Sequence, residues 1–164
     1  MRILGIDPGY AIVGFGIIDN NMGENIVVDY GVIETSKELV MPQRLDIIEN
    51  AINEIFDVYK PDCVAIEELF YFRNQTTVIP VAEARGVILA TCYKRCKEIF
   101  EYTPLQIKQA LTGQGRAEKA QVQFMTKTIL NLEKIPKPDD AADALAVALC
   151  HSHINPNLNV NRVQ

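Results

Sequence analysis

The first hydrophobic segment of the chain changes character at a single acidic residue. Residues 3–6 are apolar, Asp7 follows them, and Pro8 and Gly9 then favour a turn. Apolar residues return at 12–18, which predicts a β-hairpin with Asp7 at the tip of its first strand. A carboxylate is costly to bury there without a cationic partner. Asp7 is therefore either an acceptor for the backbone of the turn or a functional residue.

The rest of the chain predicts alternating strands and helices. We expect further strands at 26–35, 63–70 and 98–104, and helices at 44–59, 76–96, 105–113, 117–132 and 139–153. This order predicts an α/β fold with a mixed five-stranded sheet, in which antiparallel opening hairpins precede parallel strands and helices cover both faces. We expect one domain over 1–154 and a disordered, Asn-rich tail over 155–164.

Composition adds the class of protein. Of the 164 residues, 48% are hydrophobic and 23% charged, as is usual for a soluble domain. The chain has neither an apolar run of about 18 residues nor a signal peptide, so we expect no membrane span and a cytoplasmic location. Its four cysteines form no C-x-x-C pair, which favours reduced thiols, and CHSH at 150–153 lacks the second ligand pair of a zinc site.

The charge distribution allows an anionic partner despite a net charge of −5. Residues 94–137 hold nine basic and four acidic side chains, whereas the segments on either side are acidic. Such a block is either a phosphate-binding surface or a set of solvated helix faces.

Carboxylates occur where the hydrophobic pattern predicts burial or the end of an element. Besides Asp7, Glu67 ends a buried strand, and Asp140 and Asp143 lie three residues apart on one face of the last helix. Glu67 is alternatively a solvated strand end, and Asp139 or Asp140 a helix cap. Asp143 lies among small and apolar residues and therefore requires a partner.

Clustered carboxylates repel one another, and divalent cations would relieve that repulsion. Oxygen ligands suit Mg²⁺ or Mn²⁺. Two such ions about 4 Å apart activate a water and stabilise the leaving oxygen in phosphodiester hydrolysis. The pattern therefore predicts metal-dependent phosphoryl chemistry, with an anionic polymer as the partner of the basic block.

Four motifs in order resemble those of a known family. They are GIDPG from Gly5, AIEELF from Ala65, GQGRAEKAQV from Gly113 and DDAADALAVAL from Asp139. Together they resemble the RuvC family, bacterial endonucleases that resolve four-way (Holliday) DNA junctions, and the similarity extends to about His153. The resemblance implies an RNase H-like fold, a homodimer that makes paired symmetrical nicks during recombination and repair, and RuvA and RuvB as partner proteins.

The resemblance also implies which carboxylates hold the metal. The D-A-A-D spacing selects Asp140 over Asp139, and Glu67 rather than Glu68 directly follows Ala-Ile. The implied ligands of two Mg²⁺ ions (or Mn²⁺) are Asp7, Glu67, Asp140 and Asp143. Asp139 and Glu68 are left as supporting charges.

Further residues match positions that the family uses against DNA. Lys108 and Lys119 match lysines near the cut, where a cation offsets phosphate charge. Phe70 matches an aromatic residue that stacks on an unpaired base at the crossover, although plain core packing of its LFYF segment is the alternative. Arg73 and Arg116 lie in loops suited to DNA contact, but the Gly-rich turn around Arg116 needs no ligand to exist.

Three other functions compete with junction resolution. ATP-using enzymes of the actin and sugar-kinase superfamily also place an Asp in a strand turn, but they need two such domains and a longer chain. A non-catalytic junction-binding module would be expected to lack one of the carboxylates. An RNase H-like enzyme acting on RNA or in another repair step is disfavoured by the DDAAD helix.

Replacing Phe70 separates stacking from packing. We expect Phe70→Ala to slow junction cleavage more than it weakens junction binding, because one stacked base contributes about 1–3 kcal/mol while the phosphate contacts remain. Cleavage rates and dissociation constants on one synthetic junction measure the two effects. Equal losses in both would indicate a general packing defect.

Overall fold

The computed structural model of the chain describes residues 1–69, 78–154 and 161–163. Its strands are β1 (Arg2–Asp7), β2 (Ile12–Asn21), β3 (Glu24–Glu34), β4 (Cys63–Glu67) and β5 (Ile99–Tyr102). Its helices are α1 (Met41–Tyr59), α2 (Val78–Arg95), α3 (Pro104–Thr112), α4 (Lys119–Ile129) and α5 (Asp139–His153). None of the helices in the described ranges has the length and apolar character needed to cross a membrane.

The five strands form one mixed sheet in the order β3-β2-β1-β4-β5. β1 and β2 pair antiparallel, as do β2 and β3, whereas β1 and β4, and β4 and β5, pair in parallel. The predicted mixed five-stranded sheet is therefore confirmed. Because β1 and β4 are parallel neighbours, with Ile6 opposite Ile66, their carboxyl ends lie together at one edge of the sheet. We call this the catalytic edge.

The sheet separates two hydrophobic cores. α1 and α2 pack on one face, against side chains that include Leu4 and Val64. α3, α4 and α5 pack on the other face, against side chains that include Ile3 and Ala65. β1 alternates between these faces and is buried by both, which explains why every side chain between Arg2 and Asp7 is apolar.

Glycines in the first hairpin let α5 lie directly on the strands. Gly5 and Gly16 are cross-strand partners in β1 and β2, and Gly14 lies two residues before Gly16. A Cβ at Gly5 would overlap the backbone carbonyl of Ala144, and a Cβ at Gly14 would overlap that of Asp140. We call Gly5, Gly14 and Gly16 the glycine strip. Gly5 and Gly14 fix the depth of α5 because backbone lies against them, whereas Gly16 faces the side chain of Leu145.

Several helix and strand ends differ from the predicted bounds, and two of these helices have a proline near their start. α1 begins at Met41 and includes Pro42, three residues earlier than predicted, because a first-turn residue needs no amide hydrogen. α2 likewise includes Pro80 near its start and continues through Gly86. α4 is shorter than predicted and ends at Ile129.

Part of the predicted disordered tail pairs with the sheet. Residues 161–163 lie beside β5, where Arg162 forms an isolated antiparallel bridge with Phe100 and the Val163 amide donates to the carbonyl of Ile99 at 2.9 Å. Arg162 also pairs with Glu98 at 2.6 Å. As an edge strand, β5 has backbone groups on one side that can pair with a further segment of chain. The asparagine-rich composition of the tail does not predict this pairing. Residues 155–160 and 164 lie outside the described residues.

The glycine strip predicts a large cost for one added methyl group. We expect Gly5→Ala to lower the free energy of unfolding by about 3 kcal/mol, because the strand and the α5 backbone must separate. Urea unfolding at one fixed protein concentration measures this change. Gly115→Ala is the matched control, since its Cβ would meet only the exposed side chains of Leu105 and Gln109, and we expect it to cost less than about 1 kcal/mol. An unaffected Gly5→Ala protein would contradict the close packing of α5.

Candidate active site

Strand ends and one helix bring four acidic side chains to the catalytic edge. Asp7 ends β1 and Glu67 ends the neighbouring strand β4. Asp140 and Asp143 occupy the first two turns of α5, whose backbone lies against Gly14, the cross-strand partner of Asp7. We call Asp7, Glu67, Asp140 and Asp143 the carboxylate cluster. Its members come from two strands and a packed helix rather than from loops, which suits a site that must hold a fixed geometry.

Burial and neighbouring negative charges raise the pKa values of Asp7, Glu67 and Asp143. Burial raises the pKa of Asp7 well above its usual value, and the charges of Glu67, Asp143 and Asp140 raise it further. Burial, followed by the charge of Asp143, raises the pKa of Glu67 to about 7. Asp7 and Glu67 directly follow the paired residues Ile6 and Ile66, so their partly buried carboxyl groups lie side by side. They are therefore unfavourable as two bare anions and favourable when a proton or a cation is shared between them.

Lys119 is the principal cation beside the cluster. It begins α4, and its Nζ donates to Asp143 Oδ2 at 2.7 Å and lies 3.7 Å from Asp139 Oδ2. The ion pair opposes the effect of burial, yet the pKa of Asp143 is still raised. Asp139 is drawn away from the cluster by Lys137, whose Nζ lies 2.6 Å from Asp139 Oδ1. Among the described residues, Lys119 is thus the one cation that forms an ion pair with the cluster.

A cleft of about 210 Å³ opens at this point. Its walls carry two acidic and two basic side chains of the predicted site, Glu67, Asp143, Lys108 and Lys119, together with apolar residues of α3, α4 and α5. Lys108 lowers the proton affinity of Glu67 by its charge, although less than Lys119 does. The cleft therefore places cations where an anionic group would approach the carboxylates.

Other predicted site residues lie elsewhere. Arg116 is exposed in the loop between α3 and α4 and does not line the cleft. Phe70 and Arg73 lie outside the described residues. The alternative assignment of Asp139 or Asp140 as a helix cap is wrong, because the N-cap residue is Pro138 and the cap has no side-chain hydrogen bond.

The donor chemistry of the cluster fits divalent cations. Four carboxylates supply only oxygen ligands, which Mg²⁺ and Mn²⁺ prefer. A cation would also relieve the repulsion that raises the pKa values of Asp7 and Glu67. Among the described residues, no three side chains of Asp, Glu, His or Cys already surround one point as metal ligands, and Asp143 faces Lys119 instead. Loading of the site would therefore involve rearrangement of this ion pair.

Two features of the site were missed by sequence reasoning. The first is the glycine strip, whose signal is the coincidence of small residues in the hairpin with alanines in the last helix. The second is Asp139 as an additional partner of Lys119. In the sequence, Asp139 lies two residues after Lys137. This spacing predicts an ion pair only weakly, because opposite charges close together in sequence are common on surfaces.

Comparison with known proteins identifies relatives over nearly the whole chain. The family model described as crossover junction endodeoxyribonuclease RuvC matches residues 3–151. A protein of that name from Alkaliphilus metalliredigens is 56% identical over 153 residues, which cover 93% of each chain. Another, from Caldicellulosiruptor saccharolyticus, is 55% identical over 152 residues and 92% of each chain.

Solved structures agree with this sequence similarity. The structure of Thermus thermophilus RuvC is 30% identical and superposes with a TM-score of 0.89, covering 99% of this chain and all of that one. The same protein in complex with a Holliday junction substrate is 28% identical, with a TM-score of 0.88 and the same coverage. The fold is therefore RNase H-like, as expected from the motifs.

The raised pKa of Glu67 predicts a pH-dependent cost in the metal-free protein. In the unfolded chain Glu67 ionises near 4.5, whereas in the folded chain its pKa is about 7. The folded state therefore binds more protons between these values, and its stability falls as pH rises through this range. We expect Glu67→Gln to gain about 1–3 kcal/mol over the native protein between pH 4.5 and 8.

Urea unfolding in EDTA at several pH values measures this difference. His151, whose pKa burial lowers to about 4, makes both proteins more stable as pH rises toward 6.5, so its effect cancels in the comparison. A difference between the two proteins that does not change with pH would contradict the assignment.

Proposed function

Because the chain belongs to the RuvC family of crossover junction endodeoxyribonucleases, we propose that the carboxylate cluster is the centre where it hydrolyses DNA at four-way junctions. Nucleases of this family depend on metal ions, and the proposed ligands of this chain are Asp7, Glu67, Asp140 and Asp143. The observation that supports this assignment is their meeting at one sheet edge, beside a cleft that also contains Lys108 and Lys119.

We propose Mg²⁺ as the ion, with Mn²⁺ as a substitute and two ions in each site. When bound, such ions supply an activated water and stabilise the leaving oxygen. The protein contributes geometry: β1 and β4 hold Asp7 and Glu67, and the glycine strip holds the first turns of α5 at a fixed depth. Glu67, with a pKa of about 7 in the metal-free site, exchanges its proton for a cation near neutral pH.

Lysines at the cleft complement the phosphate. Lys119 pairs with Asp143 in the free protein, and a cation that neutralises this carboxylate would release the ammonium group towards the substrate. Lys108 lines the same cleft from α3. A positive charge held near the cleaved phosphate stabilises the negative charge that increases in the transition state. We propose that Phe70 stacks on an unpaired base at the crossover and that Arg73 and Arg116 contact the DNA.

Paired symmetrical nicks require two active sites, and α2 offers a surface for a second copy. The side chains of Ile79 and Tyr93 are 70% and 57% exposed. Ala82, Gly86 and Ala90 lie between them on the same exposed face of the helix. Such small residues allow two helices to approach closely, and we propose this face as the centre of a homodimer. RuvA and RuvB as partners, which the resemblance implies, and a cytoplasmic location stay proposals.

Replacement of one carboxylate tests the site, and a neighbouring carboxylate serves as its control. We expect Asp143→Asn to lower Mg²⁺-dependent cleavage of a synthetic four-way junction by at least about 10³-fold, because a ligand of the reactive centre is lost. Junction binding in EDTA should survive. Asp139→Asn removes the other carboxylate beside Lys119 and should cut within a few-fold of the native rate.

The same assay tests the whole function. The native protein should make paired nicks in the junction with Mg²⁺, leave linear duplex intact, and be inactive in EDTA. An Asp143→Asn protein that nicks at a near-native rate would refute the metal-site assignment, and a native protein that binds junctions without cutting would refute the nuclease proposal.

A further inference from the structure

One buried arginine of α1 has no polar partner among the described residues. Arg44 is 8% exposed, and its Nε is enclosed without a hydrogen-bond partner. Its guanidinium lies over the ring of Tyr10, with Cζ 5.3 Å from the ring centroid. No carboxylate of residues 1–69, 78–154 or 161–163 forms an ion pair with it.

Three of the other arginines form ion pairs. Arg2 contacts Asp19 at 2.9 Å, Arg95 pairs with Asp57, and Arg162 pairs with Glu98. These three are at least partly exposed, so they have less need of a partner than a buried group does. A buried charge without a partner destabilises a fold, and its retention points to a function outside the stability of the free protein.

The position of Arg44 relates it to the catalytic edge. β3 runs in the same direction as β1, because both pair antiparallel with β2. α1 follows β3 and therefore begins at the edge where β1 and β4 end. Tyr10 lies in the turn three residues after Asp7, and Thr35 Oγ1 donates to its carbonyl at 2.6 Å. Arg44 therefore lies at the catalytic edge on the α1 side of the sheet.

The cations already assigned to the site lie on the other side. Lys108 and Lys119 extend from α3 and α4, which pack with α5 on the opposite face of the sheet. The carboxylate cluster is thus placed between two cationic positions. A nucleic-acid strand crossing the edge would carry phosphates to both.

We propose that Arg44 is a binding site for a backbone phosphate of the DNA strand that crosses the catalytic edge. A guanidinium presents several donors in one plane and binds phosphate oxygens bidentately, which a lysine cannot do. Nε is enclosed, so the terminal nitrogens are the part of the group that a phosphate can reach. The first turn of α1 has no acidic residue to compete for it, and the helix N-terminus adds a favourable dipole. This site rests on the proposed function, since its ligand belongs to the junction.

The alternative is that Arg44 serves the fold alone, through its contact with Tyr10. Arg44→Met separates the two roles because methionine retains an unbranched apolar side chain and removes the charge. If Arg44 binds phosphate, the variant keeps or raises the melting temperature, since an unpaired buried charge is removed. Its junction affinity, measured in EDTA at low salt, falls about tenfold, and the slope of log Kd against log salt becomes smaller by about one.

Two further variants complete the experiment. Arg95→Met is the matched control, because Arg95 also lies over an aromatic ring, that of Phe56, but at the opposite end of the parallel helix α2; it should leave affinity and salt slope unchanged. Arg44→Lys retains the charge and should restore the salt slope with only part of the affinity.

The outcomes separate this proposal from the proposed function. A native protein that neither binds nor cuts junctions would overturn the function and this site with it. If the native protein does both, and folded Arg44→Met binds with the native affinity and salt slope, Arg44 contacts no phosphate, whatever its melting temperature. Loss of affinity with an unchanged slope, or an equal effect of Arg95→Met, would likewise overturn the site.

Discussion

The contact between α5 and the first hairpin is the constraint on which the rest of the site depends. The backbone carbonyls of Asp140 and Ala144 lie where Cβ atoms would be at Gly14 and Gly5. The distance between α5 and the hairpin is set at these positions by backbone atoms, which cannot rotate away as side chains do. The beginning of α5 is therefore fixed relative to the end of β1, and Asp143 reaches the same cleft as Glu67. The helix is also buried nearly all round, which prevents it from sliding to relieve repulsion.

That rigidity makes the electrostatic cost unavoidable in the metal-free protein. Burial and neighbouring charges raise the pKa values of Asp7, Glu67 and Asp143, and Lys119 only partly opposes them. A flexible site would reduce this cost by moving the carboxylates into water. In a site held by strands and a packed helix, the carboxylates instead stay close together until a cation binds. The loss of their repulsion then contributes to the free energy of cation binding. The same geometry thus destabilises the free protein and favours its loaded form.

Sequence patterns predicted the fold well because they report which side of each element is buried. The order of strands and helices, the mixed sheet and the covering of both faces all follow from periodicity and turn residues. The clustering of Asp7 with Glu67 also follows, because parallel neighbouring strands end at one edge. The motifs then selected Asp140 and Asp143 by resemblance. The assignment of these four residues as ligands stays a prediction, and Phe70 and Arg73 lie outside the described residues.

Features that depend on the distance between two elements were harder to predict from the sequence. Periodicity gives the buried face of α5 but not how closely it approaches Gly5. It likewise cannot distinguish a capping Asp139 from one that binds Lys119 and Lys137. In the sequence, Arg44 lies two residues after Pro42 at the start of an amphipathic helix, where a polar residue is expected to be exposed. Its burial is evident only in the folded structure. Metal ions held by such carboxylates would act on the phosphodiester group, which is the same in every DNA strand. Selection of a four-way junction must therefore come from groups around the centre, and cations on both faces of the sheet would favour a strand that bends across the edge over one that passes along a single face.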